Sequence, residues 1–148
     1  VKSSESLAPK LLTVLSKCLK AIGAHAERHI TEIGLGLTDF AVLEALLHKE
    51  PLSISCIGEK VLLTSGSMTA AVDRLEAKNL VVRKCHATDR RTKLIDLTPT
   101  GHALIVKAFA LHTEALEKAL AGVPLQDQKE LIALATSIGK AASDNLSK

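Results

Sequence analysis

The stretch from Leu63 to Thr98, LTSGSMTAAVDRLEAKNLVVRKCHATDRRTKLIDLT, decides how this chain is read. Ser65 offers a capped helix start. Behind it Met68, Val72 and Leu75 recur at i, i+4 and i+7, which gives one apolar helical face ending near Lys78. The other face carries Gly66, Ala70, Asp73, Arg74 and Ala77, with Ser67 and Thr69 on its flanks. Small side chains there let a helix backbone sink close to a surface. First-turn hydroxyls can donate to phosphates or base edges, and the helix N-terminus adds positive potential. Leu80 to Cys85 and Leu94 to Thr98 are β-branched enough to form two strands. The eight residues between them, HATDRRTK, contain no Gly or Pro and are too many for a tight turn, so they project as a charged loop. The pattern is a helix followed by a wing, poised to touch DNA.

Upstream, Leu7, Leu11, Leu15, Leu19 (or Cys18), Ile22, Ala26 and Ile30 are spaced by three to four, which predicts one long amphipathic helix. At roughly 25 residues it would measure about 40 Å. A stripe that long cannot be buried inside a small domain, so a second chain is expected to cover it. Gly34-Leu35-Gly36 breaks the helix, and Thr38 is read as the cap of the next one, through Phe40, Leu43, Leu46 and Leu47. Pro51 stops that helix, and Ser53 caps a short one with Ile54, Ile57 and Val61 inward. After a brief turn at Leu62-Leu63-Thr64 the Ser65 helix begins. Downstream, Thr98-Pro99 is a cap with Pro at the first helical position. Its helix runs to about Leu120, Gly122 and Pro124 punctuate, and a last helix runs through Leu131, Ile132, Leu134, Ala135, Ile138 and Leu146. The predicted fold is mainly α with a small β-hairpin: a winged helix-turn-helix with long N- and C-terminal dimerisation helices. Residues 1–148 form one domain, with 38–98 the DNA-binding region and 1–34 and 99–148 the dimerisation region.

Composition narrows the classes. Apolar residues make up 47%, enough for a folded core, and the only aromatics are Phe40 and Phe109. Single-strand binding by stacking bases on aromatic rings is thereby excluded. Between Ser65 and Lys93, seven cationic residues (Arg74, Lys78, Arg83, Lys84, Arg90, Arg91, Lys93) face Asp73, Glu76 and Asp89, so the net charge of +3 is concentrated here. That is the footprint of a nucleic-acid surface, although a solvated charged face would look similar. The three cysteines are scattered and form neither a disulfide framework nor a paired zinc motif. No signal peptide, lipidation motif or membrane-spanning run is evident, so the cytoplasm is the expected compartment.

The run LTSGSMTAAVDRLEAKNLVVRK, then DRR and LTPTGHALI, resembles the MarR family of bacterial transcriptional regulators, over Leu37 to Phe109. The combination of DRLE, Asp89-x-Arg91 and Leu97-Thr98-x-x-Gly101 carries the resemblance. One departure is Asn79, where the family usually has Gly; Asn tolerates the left-handed conformation. The resemblance implies a homodimer with interleaved terminal helices on a pseudo-palindromic operator. Ser65, Gly66, Ser67, Thr69, Ala70, Arg74 and Lys78 would face the major groove of double-stranded DNA. Arg91 would enter the flanking minor groove braced by Asp89, with Arg90 and Lys93 nearer phosphates; a narrow minor groove attracts Arg.

Such regulators respond to a signal, and three readings compete. A small aromatic or phenolic effector would occupy an apolar pocket walled by the first, second and fifth helices. Thiol sensing would use Cys18, where some family members hold a reactive thiol with tyrosines that this chain lacks, or Cys85 between Lys84 and His86. Core packing of Cys18 is the plainer alternative. A zinc site would use His25 and His29 with Glu32 or His112. No motif requires a cofactor. The histidines and carboxylates make no catalytic constellation, and Gly-rich phosphate loops, nucleophile elbows and HExxH are absent from the sequence. An enzyme is therefore not expected. A helical protein–protein interaction module without DNA binding is the alternative of another class, and salt dependence separates the two.

Overall fold

The computed structural model of the protein describes residues 6–49, 51–61, 65–86, 88 and 91–147; for Ser65 it describes the backbone alone. The elements run α1 (Ala8–Glu32), α2 (Leu37–His48), β1 (Leu52–Ser53), α3 (Ile54–Val61), α4 (Ser65–Ala77), β2 (Val81–Cys85), β3 (Lys93–Leu97), α5 (Pro99–Ala119) and α6 (Leu125–Leu146). The wing is larger than the predicted hairpin. Antiparallel β1 pairs with β3 (Leu52 with Ile95), giving the order β1-β3-β2. A two-residue strand is too short to leave a periodic signal. Helix α2 also starts earlier than expected, with extended Gly36 as its cap and Thr38 inside the first turn. The Leu62–Thr64 turn lies outside the described residues.

Two compact units are distinguished, residues 1–116 and 117–148. The first holds the core. Phe40, Leu43 and Leu46 of α2 meet Ile57 of α3, Met68, Val72 and Leu75 of α4, Val81 and Ile95 of the sheet, and Ile105 of α5, all buried. This is an aliphatic core with one Phe, as the composition demands. Strand alternation explains the sheet: Val81, Ile95 and Leu97 point inward, while Val82 and Lys84 point out. In the second unit α6 has no buried residue, and Leu131, Ile132, Leu134 and Ile138 are exposed.

Two junctions fix where α4 ends. Asn79 takes φ 56°, the Leu80 N–H donates to the Leu75 carbonyl, and the Asn79 N–H to that of Glu76. This is the paired-bond stop that normally uses Gly at the left-handed position. Asn fills that role here. Helix α5 then seats against the same turn. The Thr98 N–H donates to the Leu80 carbonyl (3.1 Å), the Thr98 hydroxyl donates to the Asn79 carbonyl (2.7 Å), and it accepts from the Gly101 N–H (2.9 Å). A Cβ on Gly101 would lie 1.8 Å from the Leu80 carbonyl oxygen, so only glycine allows this approach. The Leu97-Thr98-x-x-Gly101 motif is a docking joint between α4 and α5.

Candidate nucleic-acid interface

Helix α4 buries Met68, Ala71, Val72 and Leu75 and turns Gly66, Ser67, Thr69, Ala70, Asp73, Arg74, Ala77 and Lys78 to the exterior. At 100° per residue, Gly66, Ala70, Asp73 and Ala77 lie farthest from the core. A Cβ on Gly66 would meet nothing within 4 Å, so no packing inside the protomer requires glycine there. The result is a low ridge of small side chains with polar flanks.

Both flanks are braced. On one, Arg74 Nη2 donates to Asp39 Oδ1 at 2.6 Å, and Lys78 Nζ lies 3.7 Å from Asp39 Oδ2. Asp39 is buried in the first turn of α2, whereas about half of each cationic side chain stays exposed. The Asp39 carboxylate, by hydrogen bond and by charge, raises the Arg74 pKa above its ordinary value. On the other flank, Arg83 of β2 binds both Asp73 and Glu76. Its backbone N–H also lies 3.4 Å from Glu76 Oε1. The hydrogen bond to Asp73 raises the Arg83 pKa most, burial opposes it, and the charge of Glu76 adds to the rise. Arg83 thus offsets one of the two acidic charges of α4 and ties that helix to the wing. The sequence reading did not name Asp39, and it counted Arg83 within the basic footprint without giving it a place in the site. Arg83 was findable: it shares the inward face with Val81, and an inward Arg on an alternating strand requires an acidic partner.

In the wing, the His86 N–H donates to the Thr92 carbonyl, closing the loop, and outward Lys84 pairs with Asp96 across the strands. Arg91 and Lys93 are exposed, and Lys93 Nζ lies 3.2 Å from Cys85 Sγ. The predicted brace Asp89 and its neighbour Arg90 lie outside the described residues, as does the Ser65 side chain.

The signal candidates are distributed differently from the prediction. His25 is exposed on α1, while His29 meets His112 of α5 with ring centroids 5.6 Å apart, and His112 packs on Phe40 at 4.8 Å. The Nδ1 atoms of both His29 and His112 are buried without a hydrogen-bond partner. Among the described residues no three His, Cys, Asp or Glu side chains are grouped to hold a metal. Cys18 is half-buried and Cys85 exposed. An apolar cavity of about 280 Å³ is lined by Ile33, Leu35, Leu104, Lys107, Ala108 and Leu111. Its walls are the loop after α1, through Ile33 and Leu35, and α5; neither α1 nor α2, both expected as walls, contributes a lining residue. Among the described residues no helix is long and apolar enough to cross a membrane.

Comparison with known proteins places this geometry. The sequence profile of the MarR family matches residues 35–93. The HTH-type transcriptional regulator MhqR of Bacillus subtilis (strain 168) is 42% identical over 109 residues, 74% of this chain and 75% of the relative. The uncharacterized HTH-type transcriptional regulator YkoM of the same strain is 32% identical over 132 residues, 89% of this chain and 86% of the relative. Among solved structures, CouR from Rhodococcus jostii RHA1, bound to p-coumaroyl-CoA, aligns with a TM-score of 0.78 at 25% identity, covering 91% of this chain and 95% of that one. The regulator BldR from Sulfolobus solfataricus shares the fold with the same TM-score at 24% identity, covering 96% and 99%.

Proposed function

The chain belongs to the MarR family of winged-helix, DNA-binding transcriptional regulators, and from that premise we propose that it is a homodimeric repressor released by a small amphipathic effector. The observation that carries the DNA contact is the α4 ridge: Gly66, Ala70 and Ala77 outermost, Ser67, Thr69, Arg74 and Lys78 beside them, and a wing tied to it through Arg83. Such a ridge enters a major groove, with Arg91 reaching the adjacent minor groove and Lys93 the phosphates. Asp89 and Arg90 complete the wing in this reading.

Dimerisation is supported by apolar surface that a lone protomer leaves in water: Leu7 at the N-cap of α1, Leu11, Leu12, Val14 and Leu19 along it, and the α6 residues named above. Helical stripes of this kind call for a partner helix. Two copies would read half-sites about one helical turn apart. The effector reading rests on the 280 Å³ cavity, whose apolar walls and Lys107 ammonium suit a small aromatic acid or phenolate. No cofactor is invoked, and repression takes place in the cytoplasm.

Selection of duplexes from a random double-stranded pool, followed by hydroxyl-radical footprinting, tests the reading. The expected footprint has two related half-sites one turn apart. Light scattering on the free protein should give twice 15.7 kDa. A monomer, or an unpaired single-site footprint, refutes the dimeric reader.

A further inference from the structure

Asp39 is one of two buried polar side chains among the described residues, and it belongs to neither α4 nor the wing. A carboxylate so placed must be neutralised, yet two cations converge on it. Arg74 in the last turn of α4 and Lys78 just past its end engage the two oxygens of the same carboxylate. One cation suffices to balance Asp39, so the trio keeps a net positive charge in a fixed, half-exposed place. Asp39 occupies a single terminal nitrogen of Arg74, Nη2, and the planar guanidinium has further donors in the same fork. With Ser67, these cations form the flank of α4, to the side of the Gly66–Ala70–Ala77 ridge. When that ridge faces the groove floor, the flank faces the groove wall, where phosphates run.

We propose that Asp39 is a positioning residue that holds Arg74 and Lys78 as a preset clamp for one backbone phosphate of the operator. The proposal rests on the DNA-binding reading of α4. Long cationic side chains lose rotamer freedom when they are fixed on a ligand. Asp39 imposes that order before DNA arrives, so less is lost on binding. The clamp sets the register of α4 on the duplex and carries no base preference of its own.

The test uses the full chain and fluorescence anisotropy with two duplexes of equal length, one selected from a random pool and one unrelated, over a salt series. Arg74→Ala and Lys78→Ala should each weaken binding to both duplexes by the same factor and make the log K versus log salt slope shallower by about 1. Asp39→Asn keeps both cations, so its slope should not become shallower, while it should weaken binding to both duplexes several-fold by the same factor, because the freed side chains must then be ordered on binding. Melting temperatures accompany every variant. Should Asp39→Asn fail to fold, the two half-exposed cations still decide the matter through their slopes. An unchanged slope for Arg74→Ala and Lys78→Ala overturns the clamp. So does tighter binding of the selected duplex by Asp39→Asn, which would make the carboxylate a mere competitor of phosphate. A wild-type chain with no salt-dependent binding to any duplex would instead defeat the DNA-binding reading beneath it.

Discussion

Replacing Gly101 with Ala probes the joint that seats α5 on the end of α4. The new Cβ would stand 1.8 Å from the Leu80 carbonyl oxygen and 2.8 Å from its carbon, both backbone atoms that no rotamer change can move. A relaxed carbon–oxygen contact needs about 3.3 Å, so the first turn of α5 has to retreat by roughly 1.5 Å. That retreat breaks the Thr98 N–H to Leu80 bond and the Thr98 hydroxyl to Asn79 bond. Two such bonds contribute about 1 kcal/mol each, and forced overpacking adds about 1–3 kcal/mol. The expected loss is therefore about 3–5 kcal/mol, a drop of roughly 10 °C or more for a chain of this size. Thermal melts and urea titrations of Gly101→Ala measure it, with Gly66→Ala as the control because its Cβ meets nothing within 4 Å. A Gly101→Ala chain that melts within about 3 °C of wild type would refute the close approach and the joint built on it.

Gly66→Ala should separate stability from function: an alanine early in α4 stabilises the helix by about 0.5 kcal/mol, yet its methyl group stands on the ridge and should weaken operator binding several-fold in an anisotropy titration. Equal affinity would remove Gly66 from the interface. Stability should also depend on His112. Burial lowers its pKa below the ordinary 6.5, Glu44 opposes the shift and His29 reinforces it. The unfolded chain thus takes up a proton more readily than the folded one. Stability from this group is complete above about pH 6.5 and is lost as pH falls through the lower folded value. Urea titrations at pH 5 and pH 8 should show that loss in wild type and a smaller one in His112→Phe, which keeps a ring against Phe40. An identical pH response in both would discharge His112 from the effect.

What the sequence made legible is what local rules govern. The α1, α3, α4 and α5 limits follow from periodicity, the Ser53 cap and the Thr98-Pro99 start, and the Ser53 hydroxyl indeed accepts from the Cys56 N–H at 3.2 Å. Asn79 stops α4 because its short amide tolerates positive φ. Contacts between residues distant in sequence were not legible. Asp39 and Arg74 are 35 positions apart, and nothing near either one names the other. The His29–His112 contact joins the end of α1 to the middle of α5; the zinc grouping read from the sequence named both members, while its third histidine, His25, is exposed. Strand β1 escaped for a different reason: its existence is dictated by the open edge of β3 and not by its own two residues.

The proposed DNA reading requires α4 and the wing to act together, and Arg91 is the side chain that would carry the wing into the minor groove. Anisotropy titration of a selected operator duplex at fixed salt, with wild type and Arg91→Ala side by side, measures that contact. With Arg91 seated in the minor groove of the wild-type complex, the variant should lose roughly 10- to 100-fold in affinity with the fold intact by circular dichroism. Equal affinity of the two proteins would contradict that placement.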